Sequence, residues 1–392
     1  MRYSWILAAA AATVVLSGCG SISDLTSTAA TTAQTCPHPD GMILVIGAHR
    51  DVPAPQLDPL LECELTAVIG TGGPVRILIP DSPPQLITPQ LEPVNGGTLA
   101  QQASPRVQHD VQLTDQAVSN ARPDAPGVDD LNALAVAADE ADTLGGTGIE
   151  IVLIDSGLDD RGALNFTVPG LLAATPAEVV SQLRATGNLP ELHRLTVVLV
   201  GLGYTAPPQA PLSAKWRASL TAIWRAVVSA AGARVRIIPQ PGLSASVVTD
   251  EPVRLVPVPS AGYIHPAAGQ TIVFSGISAV RFQPNSTAFV DQVAAIEALA
   301  PIAHWLAADP ARHAELEGTT ADVGPMSGQV ELSLLRADRV KAALISLGAQ
   351  PTQITTTGVG SDFPQFAPDR DADGALLAGP ATLNRSVRIT LS

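Results

Sequence analysis

A series of near-continuous runs of valine, isoleucine and leucine constrains the fold of the chain most strongly. The runs lie at Met42–Ile46, Val75–Ile79, Ile149–Ile154, Thr196–Val200 and Val235–Ile238. Strands of this composition are typical of a parallel sheet, because helices cover both of its faces. Segments with helical periodicity separate them, at Gln56–Val68, Asp129–Leu144, Pro176–Ala185 and Leu212–Ala231. This alternation predicts a Rossmann-like, three-layer α/β domain with a mainly parallel sheet at residues 37–241.

The segment between the second strand and Asp129 does not fit this alternation. It is rich in proline, glutamine and asparagine. We expect either a long irregular insertion or an extra hairpin at Arg106–Leu113, where apolar and polar residues partly alternate.

Ligands of open parallel sheets bind beyond the carboxyl ends of the strands. The acidic residues Asp51, Asp155 and Asp159 follow such ends, and a cation held by them is one interpretation. The favoured one is a set of polar loops that cap helices, with His49-Arg50-Asp51 as a hydrogen-bonded cluster. The Gly201–Ala206 segment nominally fits a dinucleotide loop, but Pro207 and Pro208 prevent a helix from starting there.

No catalytic set stands out from the sequence. The seven histidines are scattered, with no pair at the spacing of metal ligands, and a nucleophile with its base is not recognisable. We therefore expect no enzymatic activity, no cofactor and no bound metal. An envelope enzyme that uses Asp155 is a third, less favoured option.

The N-terminus has the pattern of an export signal. Arg2 precedes an apolar core at Ile6–Leu16, which is short for a membrane span. Leu16-Ser17-Gly18-Cys19 resembles the bacterial lipobox, which predicts a signal peptide at residues 1–18 and lipid (palmitate) on Cys19. The alternative is an ordinary signal peptide with an incidental cysteine. Residues 19–36 are rich in serine, threonine and alanine and predict a flexible tether.

Three cysteines are present, and two remain if Cys19 carries lipid. Cys36 precedes the first strand and Cys63 lies in the following helix, so the two are expected to be neighbours. In an exported protein this predicts a Cys36–Cys63 disulfide, with two buried thiols as the alternative.

The formal net charge of −14 argues against a nucleic-acid partner, because phosphate binding needs a basic surface. It also argues against electrostatic attachment to anionic lipid. Membrane attachment would then depend on the acyl chains. Residues 242–268 are rich in proline and valine, which predicts an extended linker that pairs along a sheet edge.

The remaining residues, 269–392, predict a smaller α+β domain. Its strand-like segments are Ile272–Phe282, Ala314–Thr320, Ile354–Gly358 and Ser386–Leu391. Asn285 or Ser286 is expected to cap a first helix, which Pro301 should kink. A second helix has an apolar stripe that includes Leu332, Leu335, Val340, Leu344 and Leu347, with Arg336 off the stripe, and Gly348 is its stop signal.

Several short segments of this domain occur in a recognisable order. They are Phe282–Ser286, Gly318-Thr319-Thr320, Leu332-Ser333 with Arg336-Ala337, Gly358-Val359-Gly360 and Asn384–Ile389. They resemble the opening segment, G-x-T turn, L-S-x-x-R-A helix, G-x-G and closing N-R-x-V segments of OmpA-like peptidoglycan-binding domains. The resemblance covers about the last third of the chain.

This resemblance implies binding of the diaminopimelate side chain of cell-wall peptides, which carries an ammonium and a carboxylate. Arg336 matches the family's arginine, whose planar fork suits a carboxylate. The family's aspartate is replaced by Ala321, and the nearest carboxylate is Asp322. The implied peptidoglycan-binding residues are Arg336, Asp322, Thr320 and Asn384.

The export signal and the resemblance together imply an extracytoplasmic, lipid-anchored envelope protein that tethers membrane to cell wall through diaminopimelate-containing peptidoglycan. The alternative is an envelope assembly or scaffold lipoprotein that has lost wall binding and contacts protein partners. In that alternative, Arg336 merely supports its loop. The segment Asp369–Gly374 resembles a calcium loop but lacks the closing glutamate, which favours a solvated loop.

Overall fold

The computed structural model describes residues 36–91, 100–240, 245–259 and 264–392. The predicted signal peptide, the predicted lipid-attachment residue Cys19 and nearly all of the predicted tether lie outside the described residues. Residues Pro37–Ser392 form one compact unit that contains two sheets. Within the described ranges, no helix combines the length and the apolar character needed to cross a lipid bilayer.

The first sheet and its helices form the α/β part of the chain. Its elements are β1 (Gly41–Ile46), α1 (Pro59–Thr71), β2 (Val75–Ile79), β3 (Gln85–Ile87), α2 (Ala100–Ser119), α3 (Asp130–Thr143), β4 (Ile149–Ile154), α4 (Pro176–Ala185), β5 (Thr196–Val200), α5 (Ala214–Ala230) and β6 (Arg234–Ile238). A 3₁₀ turn at Leu171–Ala173 precedes α4.

The six-stranded sheet has the order β3-β2-β1-β4-β5-β6, and only β3 runs antiparallel to its neighbour. The central strands β1 and β4 are buried along their whole length. Alternate side chains point into two cores: α1 and α2 pack on one face, and α3, α4 and α5 pack on the other. The predicted α/β class and parallel sheet are confirmed.

The segment after β2 differs from both predictions made for it. It forms the short edge strand β3 and then α2, which contains the residues expected to form a hairpin, so that prediction was wrong. Val107, Val111 and Val118 recur at helical spacing and pack against the core beside α1. Polar residues such as Gln108 and Gln112 are exposed to solvent, whereas Asp110 and Thr114 of the same helix are buried.

The second sheet and its helices form the C-terminal part. Its elements are β7 (Thr271–Phe274), α6 (Gln292–Ala307), β8 (Ala314–Gly318), α7 (Met326–Ser346), β9 (Ile354–Gly358), α8 (Ala378–Asn384) and β10 (Val387–Leu391). The order is β7-β10-β8-β9, and only β8 and β9 pair in parallel. α6 and α7 contribute the buried side chains that fill a separate core against this sheet.

Several local predictions for this part were wrong. β7 ends at Phe274, well before Phe282. The cap of α6 is Asp291, whose carboxylate accepts from the backbone N–H of Ala294, rather than Asn285 or Ser286. α6 contains Pro301 within its length, and the kink expected at this residue stays a prediction.

The buried stripe of α7 also differs from the prediction. The helix begins at Met326, and its buried face includes Ser333, Arg336, Ala337 and Val340. Leu335 is 47% exposed, whereas Arg336 is 1% exposed. Arg336 therefore lies on the stripe and not off it. Gly348, with φ of 109°, follows the last turn as predicted.

The cysteine prediction is confirmed, since Cys36 and Cys63 are disulfide-bonded to each other. Residues 245–259 of the predicted linker lie against the α/β part, whereas Ile264 packs against the core of the C-terminal part. Arg254 N donates to Asp160 Oδ2 at 2.7 Å, and Val256 N donates to Gln209 Oε1 at 2.8 Å. Within the described ranges, the linker forms one β-bridge with another segment, between Ser246 and Pro53. The linker therefore adds no strand to the sheet edge, in contrast to the prediction.

Candidate functional site

A cavity of about 260 Å³ lies beside the first half of α7. Its walls come from the turn after β8, from α7, from the loop before α6 and from three residues beyond these elements. The lining includes Thr320, Ala321, Gln329, Leu332, Arg336, Pro284, Asn285, Glu178 and Arg385. The cavity therefore contains Arg336 and Thr320, two of the residues predicted from the sequence.

The Arg336 side chain is held by backbone carbonyls and an aromatic ring. Its Nε donates to Ser286 O at 3.1 Å and its Nη2 to Gln283 O at 3.4 Å, while the guanidinium lies 5.2 Å from the centre of the Phe282 ring. Burial, and next the charge of Arg385, lower the pKa of Arg336 to about 10, so it stays cationic at neutral pH. Its Nη1 has no hydrogen-bond acceptor within the described part of the chain.

The turn after β8 is fixed tightly against α7. A Cβ at Gly318 would lie 1.9 Å from Ser333 O, so a larger residue does not fit there. Thr320 N donates to Gly360 O at 2.8 Å. The buried Thr320 Oγ1 has no hydrogen-bond partner in the described residues, although Thr320 lines the cavity. A buried hydroxyl without a partner is costly, which makes it a candidate ligand contact.

The structure leaves Asp322 outside the cavity lining. Its Oδ1 accepts from Gln329 Nε2 at 3.0 Å, and its Oδ2 lies 3.9 Å from Arg370 Nε. The side chain is about half exposed. Ala321 lines the cavity in its place and carries no charge.

Asn384 holds the chain around the site without lining the cavity. Its amide exchanges two hydrogen bonds with the backbone of Ala367, and its Nδ2 also donates to Asp369 Oδ2 at 3.0 Å. Asp369 is buried and accepts from Asp322 N as well. Asp369 is therefore buried, whereas Arg370, Ala372 and Asp373 of the same loop are exposed, as expected for a solvated loop. In the described ranges, no three His, Cys, Asp or Glu side chains surround a point where a metal ion would fit.

Two charged residues of the cavity were not predicted as site residues. Arg385 Nη2 lies 2.5 Å from Glu178 Oε1, and Arg385 Nη1 lies 3.1 Å from Glu178 Oε2. Thr175 Oγ1 also donates to Glu178 Oε2 at 2.8 Å. Arg385 belongs to the N-R-x-V segment, but no sequence signal links it with Glu178 in the α/β part.

A second buried polar cluster lies at the carboxyl ends of β1 and β4. His49 Nδ1 is 2.5 Å from Asp51 Oδ1, and His49 Nε2 is 2.7 Å from Asp155 Oδ2. Burial alone would lower the pKa of His49, but Asp155 and Asp51 together raise it well above its usual value. Asp159 accepts from the N–H of Leu131 in the first turn of α3. These contacts confirm the interpretation of hydrogen-bonded loops that cap a helix.

The comparisons with known proteins concern the C-terminal part. Residues 281–375 match the sequence model of the OmpA family. Outer membrane porin F of Pseudomonas fluorescens is 38% identical over 90 residues, which are 23% of this chain and 26% of that protein. Residues 281–375, within the C-terminal part, are therefore a domain of the OmpA family. The matched region spans about a quarter of the length of that curated relative.

Two solved structures also match part of this chain. The peptidoglycan-associated lipoprotein from Burkholderia pseudomallei is 26% identical, with 29% of this chain and 88% of that chain covered and a TM-score of 0.25. The periplasmic domain of MotB from Helicobacter pylori is 25% identical, with coverages of 33% and 78% and a TM-score of 0.26.

Proposed function

We propose that this is a lipid-anchored cell-envelope protein whose OmpA-like domain binds peptidoglycan non-covalently and so tethers a membrane to the cell wall. The cavity beside α7 carries the proposal. The cavity contains the buried Arg336, whose Nη1 has no acceptor among the described residues. It also contains the buried Thr320, whose hydroxyl has no hydrogen-bond partner among them. Membership of this domain in the OmpA family supports peptidoglycan as the ligand.

The proposed mechanism pairs charges of the ligand with fixed groups of the cavity. The Nη1 of Arg336 and the Oγ1 of Thr320 both donate hydrogen bonds to the carboxylate of a diaminopimelate side chain. Because the remaining nitrogens of Arg336 are already held by carbonyl oxygens, the side chain is oriented before the ligand arrives. Asn384 acts indirectly, by holding the loop around Asp369.

Co-sedimentation with purified, diaminopimelate-containing peptidoglycan tests this function. The wild-type chain should sediment with the wall, and Arg336→Lys should weaken the interaction because lysine lacks the planar fork. Thr320→Val is the more informative variant. It keeps the shape of the residue and removes a hydroxyl that has no partner within the described residues, so the fold should tolerate it.

Thr355→Val is a matched control, since Thr355 is exposed on β9 and away from the cavity. Weaker wall binding by Thr320→Val with unchanged binding by Thr355→Val would support the function. Equal binding by both variants would contradict it.

The alternative is a scaffold lipoprotein whose OmpA-like domain contacts protein partners. Ala321 at the position of the family's aspartate favours this alternative, as do the carbonyl contacts that already hold Arg336. In that case, wild type and Arg336→Lys would both stay in the supernatant when peptidoglycan is sedimented.

The anchor and the domain limits are further parts of the proposal. We propose a signal peptide at residues 1–18, a lipid on Cys19, a tether at 19–36, a Rossmann-like domain at 37–241 and a linker at 242–268 before the OmpA-like domain. The strand order β3-β2-β1-β4-β5-β6 supports the Rossmann-like description. Cys19→Ser should abolish palmitate labelling and release the protein from the membrane fraction.

A further inference from the structure

We propose that Glu178, from helix α4 of the α/β part, supplies the carboxylate that receives the ligand's ammonium. It takes the role of the family's aspartate, whose position is occupied by Ala321 in this chain. The inference rests on the proposed function, since it concerns the same cavity. Among the described residues that line this cavity, Glu178 is the only one with a carboxylate.

The arrangement of charges in the cavity suits a zwitterion. Two guanidinium groups, those of Arg336 and Arg385, line it together with the Glu178 carboxylate. The free end of a diaminopimelate side chain carries one carboxylate and one ammonium. The carboxylate fits beside Arg336 and Thr320, and the ammonium fits beside Glu178, because each then meets the opposite charge.

Glu178 retains the capacity for this contact. Its Oε2 accepts from Thr175 Oγ1 and Arg385 Nη1, whereas its Oε1 accepts a single hydrogen bond, from Arg385 Nη2. A carboxylate oxygen can accept two hydrogen bonds, so Oε1 can receive one from an ammonium. Arg385 therefore orients the carboxylate of Glu178 and leaves Oε1 able to accept a second hydrogen bond.

The position of Glu178 is fixed by the packing between α4 and α8. Thr175 caps α4, and Glu178 N donates to its hydroxyl at 3.4 Å. One turn further along, Gln182 Oε1 accepts from Ala378 N at 2.7 Å, at the start of α8. The Glu178 end of the binding site is thus set by the contact between the two parts of the chain, whereas the Arg336 end is held within the C-terminal part. Wall binding should then require both parts.

The test is a titration of the full-length chain, purified in detergent, with the tripeptide L-Ala-γ-D-Glu-meso-diaminopimelate. We expect Glu178→Gln to weaken binding about tenfold, the size of one charge-assisted contact at a partly exposed site. Ala321→Asp should restore most of this loss in the double variant, because it returns a carboxylate to the cavity wall. Glu191→Gln, at an exposed position of the α/β part, should leave the affinity unchanged.

The outcomes distinguish this inference from the function on which it rests. If Arg336→Lys weakens binding but Glu178→Gln does not, the inference is wrong and the proposed function stands. Tighter binding by Glu178→Gln would also overturn it, because Glu178 would then be covering the cavity. A wild-type chain that binds neither the tripeptide nor intact peptidoglycan would refute the proposed function itself.

Discussion

Gly170 offers a way to separate the two parts of the chain without touching a side chain of the binding site. It precedes the 3₁₀ turn before α4, with φ of 89°. A Cβ on this residue would lie 2.3 Å from Gly379 O and 3.0 Å from Gly379 C, both backbone atoms of α8. Side-chain rotation cannot relieve that overlap, so Gly170→Ala should push α8 away from the α/β part.

The size of the effect follows from two separate costs. A left-handed backbone costs an alanine about 1–2 kcal/mol, and overpacking against rigid neighbours costs about 1–3 kcal/mol more. Gly187 is the matched control, because its φ is 70° and a Cβ there would meet no atom within 4 Å. Gly187→Ala should therefore lower the free energy of unfolding by the first cost alone, about 1–2 kcal/mol.

Urea unfolding measures this difference. Tryptophan fluorescence is a suitable signal, because Trp224 lies in α5 and Trp305 in α6, one in each part of the chain. Gly170→Ala should also weaken tripeptide binding, since Arg385 follows α8 directly and pairs with Glu178. Equal stability and equal affinity of the two alanine variants would refute this reasoning.

Three further predictions concern the α/β part, and urea unfolding checks each. His49→Ala leaves two buried carboxylates without their partner and should cost about 3–5 kcal/mol near pH 6. This cost should shrink as the pH rises, because the pKa of His49 is raised in the folded state and its stabilisation is lost once it deprotonates. Burial, and then Glu64, raise the pKa of Glu150 to about 8, from an ordinary value near 4.5. Between about pH 4.5 and pH 8, ionisation of Glu150 therefore lowers the free energy of unfolding. Glu150→Gln should be more stable than wild type above pH 8, and the two proteins should be about equally stable near pH 5. Replacement of Cys36 and Cys63 by serine should cost about 2–4 kcal/mol, and an unchanged midpoint would contradict the disulfide.

The sequence was most informative where the packing is simplest. A strand such as Ile149–Ile154 is buried on both faces, so its apolar run has the same limits as the strand itself. α2 was missed because its apolar residues occupy one narrow face among many polar positions. Such a face is harder to recognise than a continuous run.

The binding cavity was predicted only in part. Arg336 and Thr320 belong to recognisable motifs, and the structure brings both to the cavity. The burial of Arg336 was not predicted, because a charged residue is expected to face solvent unless its partners are known, and here they are distant carbonyls. Glu178 and Arg385 are 207 positions apart, so their pairing depends on how the two parts of the chain pack.

The most direct test of the cavity compares two tripeptides that differ in one group. Calorimetric titration of the full-length wild-type chain should show binding of the meso-diaminopimelate tripeptide. Replacement of diaminopimelate by lysine removes the carboxylate that pairs with Arg336 and should weaken binding at least about tenfold. Equal affinity for the two peptides, or no binding of either, would contradict the account.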